Sequence, residues 1–156
     1  MLQLPMGTLL VLTPLSGSGA FQLTPYAARG LTQTYAPLKS AGGAGNTWVR
    51  RDVNGVLREL VDTRFRKYKS TISCHDGETP CLDDAWIGVT VEVHCAFELN
   101  YVTGMMPARP EVSGSARTQG AFTYYRPVLQ MMVTDVSASL PEWAALYDWK
   151  IELEEI

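Results

Sequence analysis

The chain has 156 residues, the size of one domain, and 46% of them are hydrophobic, which excludes a disordered chain too polar to bury a core. The net charge of −3 argues against a nucleic-acid binder that relies on phosphate contacts. Three cysteines cannot all pair with one another, which argues against a disulfide-stapled mini-protein. Only 19% of the residues are charged and 10% are aromatic, so we expect partners to cover part of the surface.

Residues 1–23 predict an extended N-terminal arm. The arm is apolar but is broken by Pro5 and Pro14, and its stretch Leu9–Leu12 is far shorter than the ~20 residues that cross a membrane. The first basic residue is Arg29, so the positively charged start of a signal peptide is missing. We therefore expect synthesis in the cytoplasm and an arm that lies along an adjacent subunit.

Two short helices are predicted, around Pro25–Leu31 and Pro141–Tyr147, where Pro141 suits the first helical turn.

The segment Trp48–Thr63 predicts a β-hairpin. Asn54-Gly55 is a strong signal for a two-residue type I′ turn, in which both residues need positive φ. Its arms would be Trp48–Val53 and Val56–Thr63, and their charges predict at least one solvated face.

A second hairpin is predicted from the strands Arg64–Cys74 and Trp86–Leu99, joined by a loop that is rich in turn residues. The second of these strands alternates over its whole length. The odd-numbered residues from Ile87 to Leu99 are bulky and should face the core. The even-numbered residues, including Glu92, His94 and Glu98, should face solvent or a partner.

Further strands are predicted over Ala121–Ser137 and Trp149–Leu153. Pro127 interrupts the first, which indicates an edge or a bulge at that point. Residues 103–120 predict a long loop, and a loop of this length is usually functional or ordered by a neighbour.

The pattern as a whole predicts a single, mainly β domain over residues 1–156. We expect a β-sandwich or barrel-like antiparallel fold with long loops and the extended N-terminal arm. The predicted core residues are Ile72, Val89, Val91, Val93, Cys95, Phe97, Leu129, Met131, Val133, Trp149 and Ile151.

Three residues are candidate metal ligands: Cys74, Cys81 and His94. Structural zinc sites take paired ligands two to four residues apart, whereas Cys74 and Cys81 are seven apart. Alternation also places His94 and Cys95 on opposite faces of their strand. We therefore predict no metal site and no cofactor, with the cysteines acting as small buried hydrophobes.

No catalytic residues are predicted. The two histidines are His75, beside Asp76 in a loop, and His94, on a strand face with carboxylates. A Gly-x-Ser-x-Gly nucleophile motif is absent from the sequence, and the glycines at 42–45 lack the Lys-Ser/Thr of a phosphate-binding loop. These features favour a protein that is not an enzyme.

The stretch 64–69 is basic, and the C-terminus is acidic, with Glu152, Glu154 and Glu155. Taken alone, the basic stretch is similar to a nucleic-acid-binding surface. The acidic net charge of the chain favours instead an ordinary solvated strand, or a patch that docks on an acidic neighbour. A homo-oligomer could pair the two patches between its subunits.

The chain resembles small virion structural proteins of tailed bacteriophages, of the tail and baseplate kind. Four segments carry the resemblance: Pro25–Thr34, Arg51–Tyr68, Tyr68–Cys95 and Asp148–Glu155. The resemblance implies a β-rich, non-enzymatic protein that assembles in rings with itself and with other virion proteins. It transfers no catalytic residues.

The function predicted from the sequence is therefore a structural component of a phage tail or baseplate, located in the virion and assembled in the host cytoplasm. We expect no membrane partner and no specific nucleic acid. Two alternatives stay open at this point. One is a capsid decoration or head-to-tail connector protein, and the other is a small β-barrel enzyme or ligand-binding module, which would need a pocket with convergent polar groups.

Overall fold

The computed structural model of the protein describes residues 9–15, 31–38, 48–60, 63–76, 85–139, 141–143 and 147–156. Within them the fold is mainly β, with antiparallel sheets, as the sequence predicts. The strands are β1 (Val11–Pro14), β2 (Thr32–Pro37), β3 (Val49–Arg51), β4 (Leu57–Glu59), β5 (Tyr68–Asp76), β6 (Thr90–His94), β7 (Leu99–Val102), β8 (Arg117–Gln119), β9 (Phe122–Tyr125), β10 (Val128–Ser139) and β11 (Tyr147–Glu155).

Six strands form the main sheet, in the order β1-β6-β10-β11-β5-β2. The predicted hairpin between the strands 64–74 and 86–99 is wrong, because β10 and β11 lie between β5 and β6. The two strands also differ from their predicted bounds. A short 3-10 helix, Thr63–Phe65, occupies the start of the predicted strand 64–74, and β5 begins only at Tyr68. Phe65 and Tyr68 are three residues apart, which does not fit the two-residue period of a strand.

One face of the main sheet forms the hydrophobic core. Antiparallel register aligns Val93 with Leu129 and Ile151 with Ile72, so their side chains share this face. All of the predicted core residues are buried except Val89 and Phe97, which are partly buried and pack against the core. Ile87 contradicts its predicted inward position, because it lies on a turn before β6 and is 70% exposed.

The predicted strand 86–99 is not one continuous strand. It is divided into β6 and β7, which belong to two different sheets. β6 pairs with β10 in the main sheet, whereas β7 pairs with β9 in a three-stranded sheet of order β7-β9-β8. Between these pairs, residues 95–98 lie opposite only Arg126 and Pro127. The two extra residues belong to the segment 95–98 and not to the chain around Pro127. Pro127 lies between β9 and β10, so the predicted strand 121–137 is divided there into two strands.

The main sheet curls strongly. Gln33 lies on the edge strand β2, yet its Oε1 accepts a hydrogen bond of 2.7 Å from the backbone N–H of Ala96, which follows β6. The Tyr35 and Phe97 rings stack beside it with centroids 3.8 Å apart. No backbone pairing joins β1 to β2 among the described strands, so the barrel-like alternative is not realised there.

The described part of the N-terminal arm pairs within its own chain. Residues 11–14 form the edge strand β1 against β6, and Leu10 and Leu12 are buried in the core. The expectation that the arm lies along an adjacent subunit is therefore wrong for residues 9–15, since their apolar side chains already have a core to enter. Residues 1–8 and 16–23 lie outside the described residues.

The predicted loop 103–120 is held by its own chain. It contains β8, and Val128 donates to the Pro110 carbonyl at 2.8 Å while Val112 donates to the Arg126 carbonyl at 2.9 Å. A neighbouring subunit is not needed to order it.

The two predicted helices lie mostly outside the described residues, which leave out 25–30 and 144–146. Of the second, residues 141–143 form a turn, and Tyr147 is the first residue of β11.

Candidate functional site

The three candidate metal ligands do not meet in the described structure. Cys74 is buried on the inner face of β5, whereas His94 is half-buried on the outer face of β6, and two strands lie between them. Cys81 lies outside the described residues. Among the residues that are described, no cluster of three or more His, Cys, Asp or Glu could hold a metal ion.

The environments of His94 and Cys95 differ as their opposite faces predict. His94 Nε2 lies 3.1 Å from the Glu92 carboxylate at the surface. Burial raises the pKa of the Cys95 thiol to about 12, because the thiolate would lose its solvation. A thiol with this pKa is a poor nucleophile at neutral pH.

The predicted loop position of His75 is wrong. It lies on β5 rather than in a loop, and its Nδ1 pairs with the carboxylate of Asp148 on β11, to which β5 is aligned. Both side chains are more than half exposed. In the described part of the chain, no hydrogen bond joins His75 to a serine hydroxyl, so the pair has no nucleophile beside it.

The basic stretch and the acidic C-terminus pair within one chain. β5 and β11 are neighbours, which brings Lys69 Nζ to 2.9 Å from the Glu152 carboxylate and Lys67 Nζ to 2.6 Å from the Ile156 carbonyl. This intramolecular pairing replaces the predicted pairing of the two patches between subunits. The sequence could not show it, because the strand order decides which patches become neighbours.

The least exposed ion pair of the described chain joins Arg109 and Glu155, which no sequence motif indicates. Arg109 donates to both carboxylate oxygens of Glu155, at 2.7 and 3.2 Å, and its guanidinium lies over the Tyr68 ring. The Glu155 side chain is only 8% exposed. A bidentate, largely buried pair of this kind fixes the loop 103–120 onto β11. No local pattern signals it, because the partners are 46 residues apart.

The hairpin of β3 and β4 is exposed along both of its strands. Its turn has three residues rather than the predicted two: Gly55 donates to the Asp52 carbonyl, and Asp52 donates to the Val56 carbonyl. Gly55 takes a positive φ of 77°, the position that a three-residue loop with a bulge requires. The Asp52 carboxylate accepts from Arg58 and from two backbone amides, which lowers the pKa of Asp52.

Every residue of β3 and β4 is exposed, although several are large and apolar. Val53 at the tip is fully exposed, and Val49, Leu57 and Leu60 are about half exposed. On the opposite face of the hairpin, Arg50 lies directly across from Arg58. Like charges in that position destabilise a strand pair, and Arg50 has no ion-pair partner among the described residues.

A groove of about 700 Å³ separates this hairpin from the main sheet. We call it the hairpin groove. Its walls are formed by apolar and aromatic side chains: Pro37, Leu38, Trp48, Val49, Leu57 and Tyr68. Three cations and one carboxylate complete its lining: Arg66, Lys67, Arg109 and Glu59. Arg66 pairs with Glu59 at 2.9 Å and Arg109 pairs with Glu155, so these two cations are already matched by carboxylates of the same chain. The groove can therefore receive an apolar group.

Comparisons of the chain with known protein families, with curated proteins and with solved structures gave no match. Among the residues that the structure describes, no helix is long and apolar enough to cross a membrane. The exposed hairpin and the groove beside it are an apolar surface without a partner in the described chain.

Proposed function

We propose that the protein is a non-enzymatic structural component of a phage virion, of the tail or baseplate kind, that works by assembling with itself and with neighbouring virion subunits. The observation that supports this proposal is the exposed β3–β4 hairpin. An isolated two-stranded hairpin is at best marginally stable in water. A partner that covers its apolar residues would stabilise it and would explain why Val49, Val53 and Leu57 are not polar.

The rest of the described surface supports the same proposal. Large apolar side chains are exposed at several separate places, including Trp86, Met106 and Trp143, each more than 70% exposed. Aromatic and methionine side chains are enriched in protein interfaces. The support for a setting in the virion is the sequence resemblance to small phage tail and baseplate proteins.

Two measurements test the proposal. Sedimentation of the wild-type protein over a range of concentrations should show association into discrete oligomers, and electron microscopy of the associated fraction should show closed rings. Quantitative mass spectrometry of particles from the source phage should find the chain at a fixed copy number per particle. A folded protein that stays monomeric at high concentration and is missing from the particles would contradict the proposal.

A further inference from the structure

The three-stranded sheet ends in an exposed tip. β7 and β8 are both antiparallel to β9, so the turn after β7 and the turn between β8 and β9 lie at the same end of the sheet. Tyr125 at the base is 1% exposed, whereas Phe122 near the tip is 46% exposed. Just after β7, Met105 and Met106 are 69% and 90% exposed. We call residues 99–106 and 117–125 the finger.

The tip of the finger is apolar and uncharged. The sequence has no charged residue over 99–108 or over 118–125. Val102, which is 54% exposed, lies directly opposite Phe122, so the two side chains share one face and continue the apolar surface of the methionines. A surface of this kind is more stable in an apolar environment than in water.

The backbone of the turn after β7 is hydrogen-bonded within the finger. The Met105 amide donates to the Val102 carbonyl at 3.0 Å, and Gly104 between them has a φ of 96°, as a type II turn requires. The Thr103 amide donates to the carbonyl of residue 121 at 3.0 Å, and its hydroxyl lies 3.1 Å from a threonine hydroxyl on β9. The turn can leave water without breaking these hydrogen bonds, and lipid imposes this condition on any backbone that enters it.

An aromatic ring and a cation lie behind the tip. Arg117 is opposite Tyr124 in the register of β8 and β9, and its guanidinium lies 4.6 Å from the centre of the Tyr124 ring. Tyr124 is two residues from Phe122 along β9, so it shares the same face about 7 Å farther from the tip. Arg117 also pairs with Glu98 at 2.7 Å, so the charge at this level is balanced.

We propose that the finger inserts its tip into the interfacial layer of a lipid bilayer. Apolar side chains at the tip with an aromatic ring and a cation behind them follow the order of hydrocarbon and interface in a bilayer. The spacing of about 7 Å matches the ~5–10 Å by which interfacial elements enter lipid.

Lipid fits the finger better than a protein partner does. The polarity changes in one direction along the finger, whereas the polar rim of a protein interface surrounds its apolar core. This inference goes beyond the proposed function. It also differs from the sequence-based expectation of no membrane partner, which considered only segments that span a membrane.

The test is flotation with vesicles of phosphatidylcholine. At about 5 mM lipid it detects an association constant tenfold below the ~10⁴ M⁻¹ of a single acyl chain. The wild type should float with the vesicles. The double variant Met105→Ser, Met106→Ser should bind roughly tenfold more weakly, because it loses most of the apolar contact. Both methionines are exposed, so the variant should keep the wild-type circular dichroism and melting temperature.

Trp143→Ser is the matched control, because it removes an exposed apolar side chain outside the finger and should float like the wild type. Raising the salt from about 0.1 to 0.5 M should not weaken flotation, since the contact is apolar and not ionic. Depth is measured with lipids brominated in their acyl chains. They should quench the added fluorescence of Met106→Trp but not that of Val53→Trp, at the tip of the β3–β4 hairpin.

Three outcomes would overturn the inference. A wild type that does not float shows that the finger does not enter lipid, and it leaves the proposed assembly untouched. Equal flotation of the wild type and the methionine variant means that another surface holds the lipid. If the wild type does not float and the methionine variant loses self-association in sedimentation velocity, the finger is a contact between subunits instead.

Discussion

The main sheet and the β3–β4 hairpin are built from similar residues but differ completely in burial. Val91 on β6 is fully buried, whereas Val53 at the hairpin tip is fully exposed. β6 has β1 on one side and β10 on the other, and its inner face is covered by the curl of the sheet. The hairpin has only two strands, so neither of its faces can be enclosed. Burial here follows from whether the face of a sheet packs against the core and not from residue type, since Leu12 on the edge strand β1 is also buried.

The same contrast applies to the ion pairs. Arg109 and Glu155 meet at the end of the main sheet with little exposure, whereas Arg117 and Glu98 form an equally bidentate pair at the surface of the three-stranded sheet. The buried pair cannot exchange its hydrogen bonds for water without a cost, and the exposed pair can. The geometry of the two pairs is alike, so their environments should decide their strength.

The largest effect is expected from a charge placed in the core. Val91→Asp buries a carboxylate that has no partner, which should cost more than about 4 kcal/mol of unfolding free energy and abolish soluble folding. The matched control, Val53→Asp, places the same charge on the exposed hairpin tip and should change the unfolding free energy by less than about 0.5 kcal/mol. Urea denaturation followed by circular dichroism measures both. Normal folding of Val91→Asp would mean that β6 is not a core strand.

An intermediate effect is expected at the Arg109–Glu155 pair. Glu155→Gln leaves the guanidinium without its counter-charge in a site of low exposure, which should lower the unfolding free energy by about 1–3 kcal/mol. Glu98→Gln breaks the exposed pair with Arg117 and should cost less than about 1 kcal/mol. Equal losses in the two variants, measured by the same denaturation, would show that burial does not strengthen the first pair.

The smallest effect concerns acid stability. Hydrogen bonds from Lys150 and Lys69 hold the pKa of Glu152 at about 2, below its ordinary value of 4.5. Because the pKa is lower in the folded state, the stabilisation is complete above the unfolded pKa and is lost as the pH falls from about 5 towards 2. After allowance for solvent screening, this loss should be about 1–2 kcal/mol.

Glu152→Gln removes this titration. Its unfolding free energy should therefore fall less between about pH 6 and pH 3 than that of the wild type. Glu142→Gln, at an exposed turn without an ion pair among the described residues, serves as the control and should keep the wild-type difference. A wild-type pH dependence in Glu152→Gln would exclude Glu152 as its source.

Much of the local structure could be predicted from the sequence. The alternation of Val91, Val93 and Cys95 placed them correctly on one buried face, and the same pattern was right for Trp149 and Ile151. Asn54-Gly55 identified a hairpin, although its turn has one residue more than predicted. The period of two is a property of the extended backbone itself, so it can be read without knowledge of partners.

The local pattern was sufficient to predict the inward residues of β6, β10 and β11 and the position of the β3–β4 hairpin, because these depend on neighbouring residues and on backbone geometry. Only the tertiary structure decided that β10 and β11 separate β5 from β6, that Lys69 meets Glu152, and that the hairpin lines a groove. Every strand edge offers the same row of backbone donors and acceptors, so local pattern cannot select the partner. The selection comes from packing all the inward faces together, and it also determines which apolar residues are left exposed.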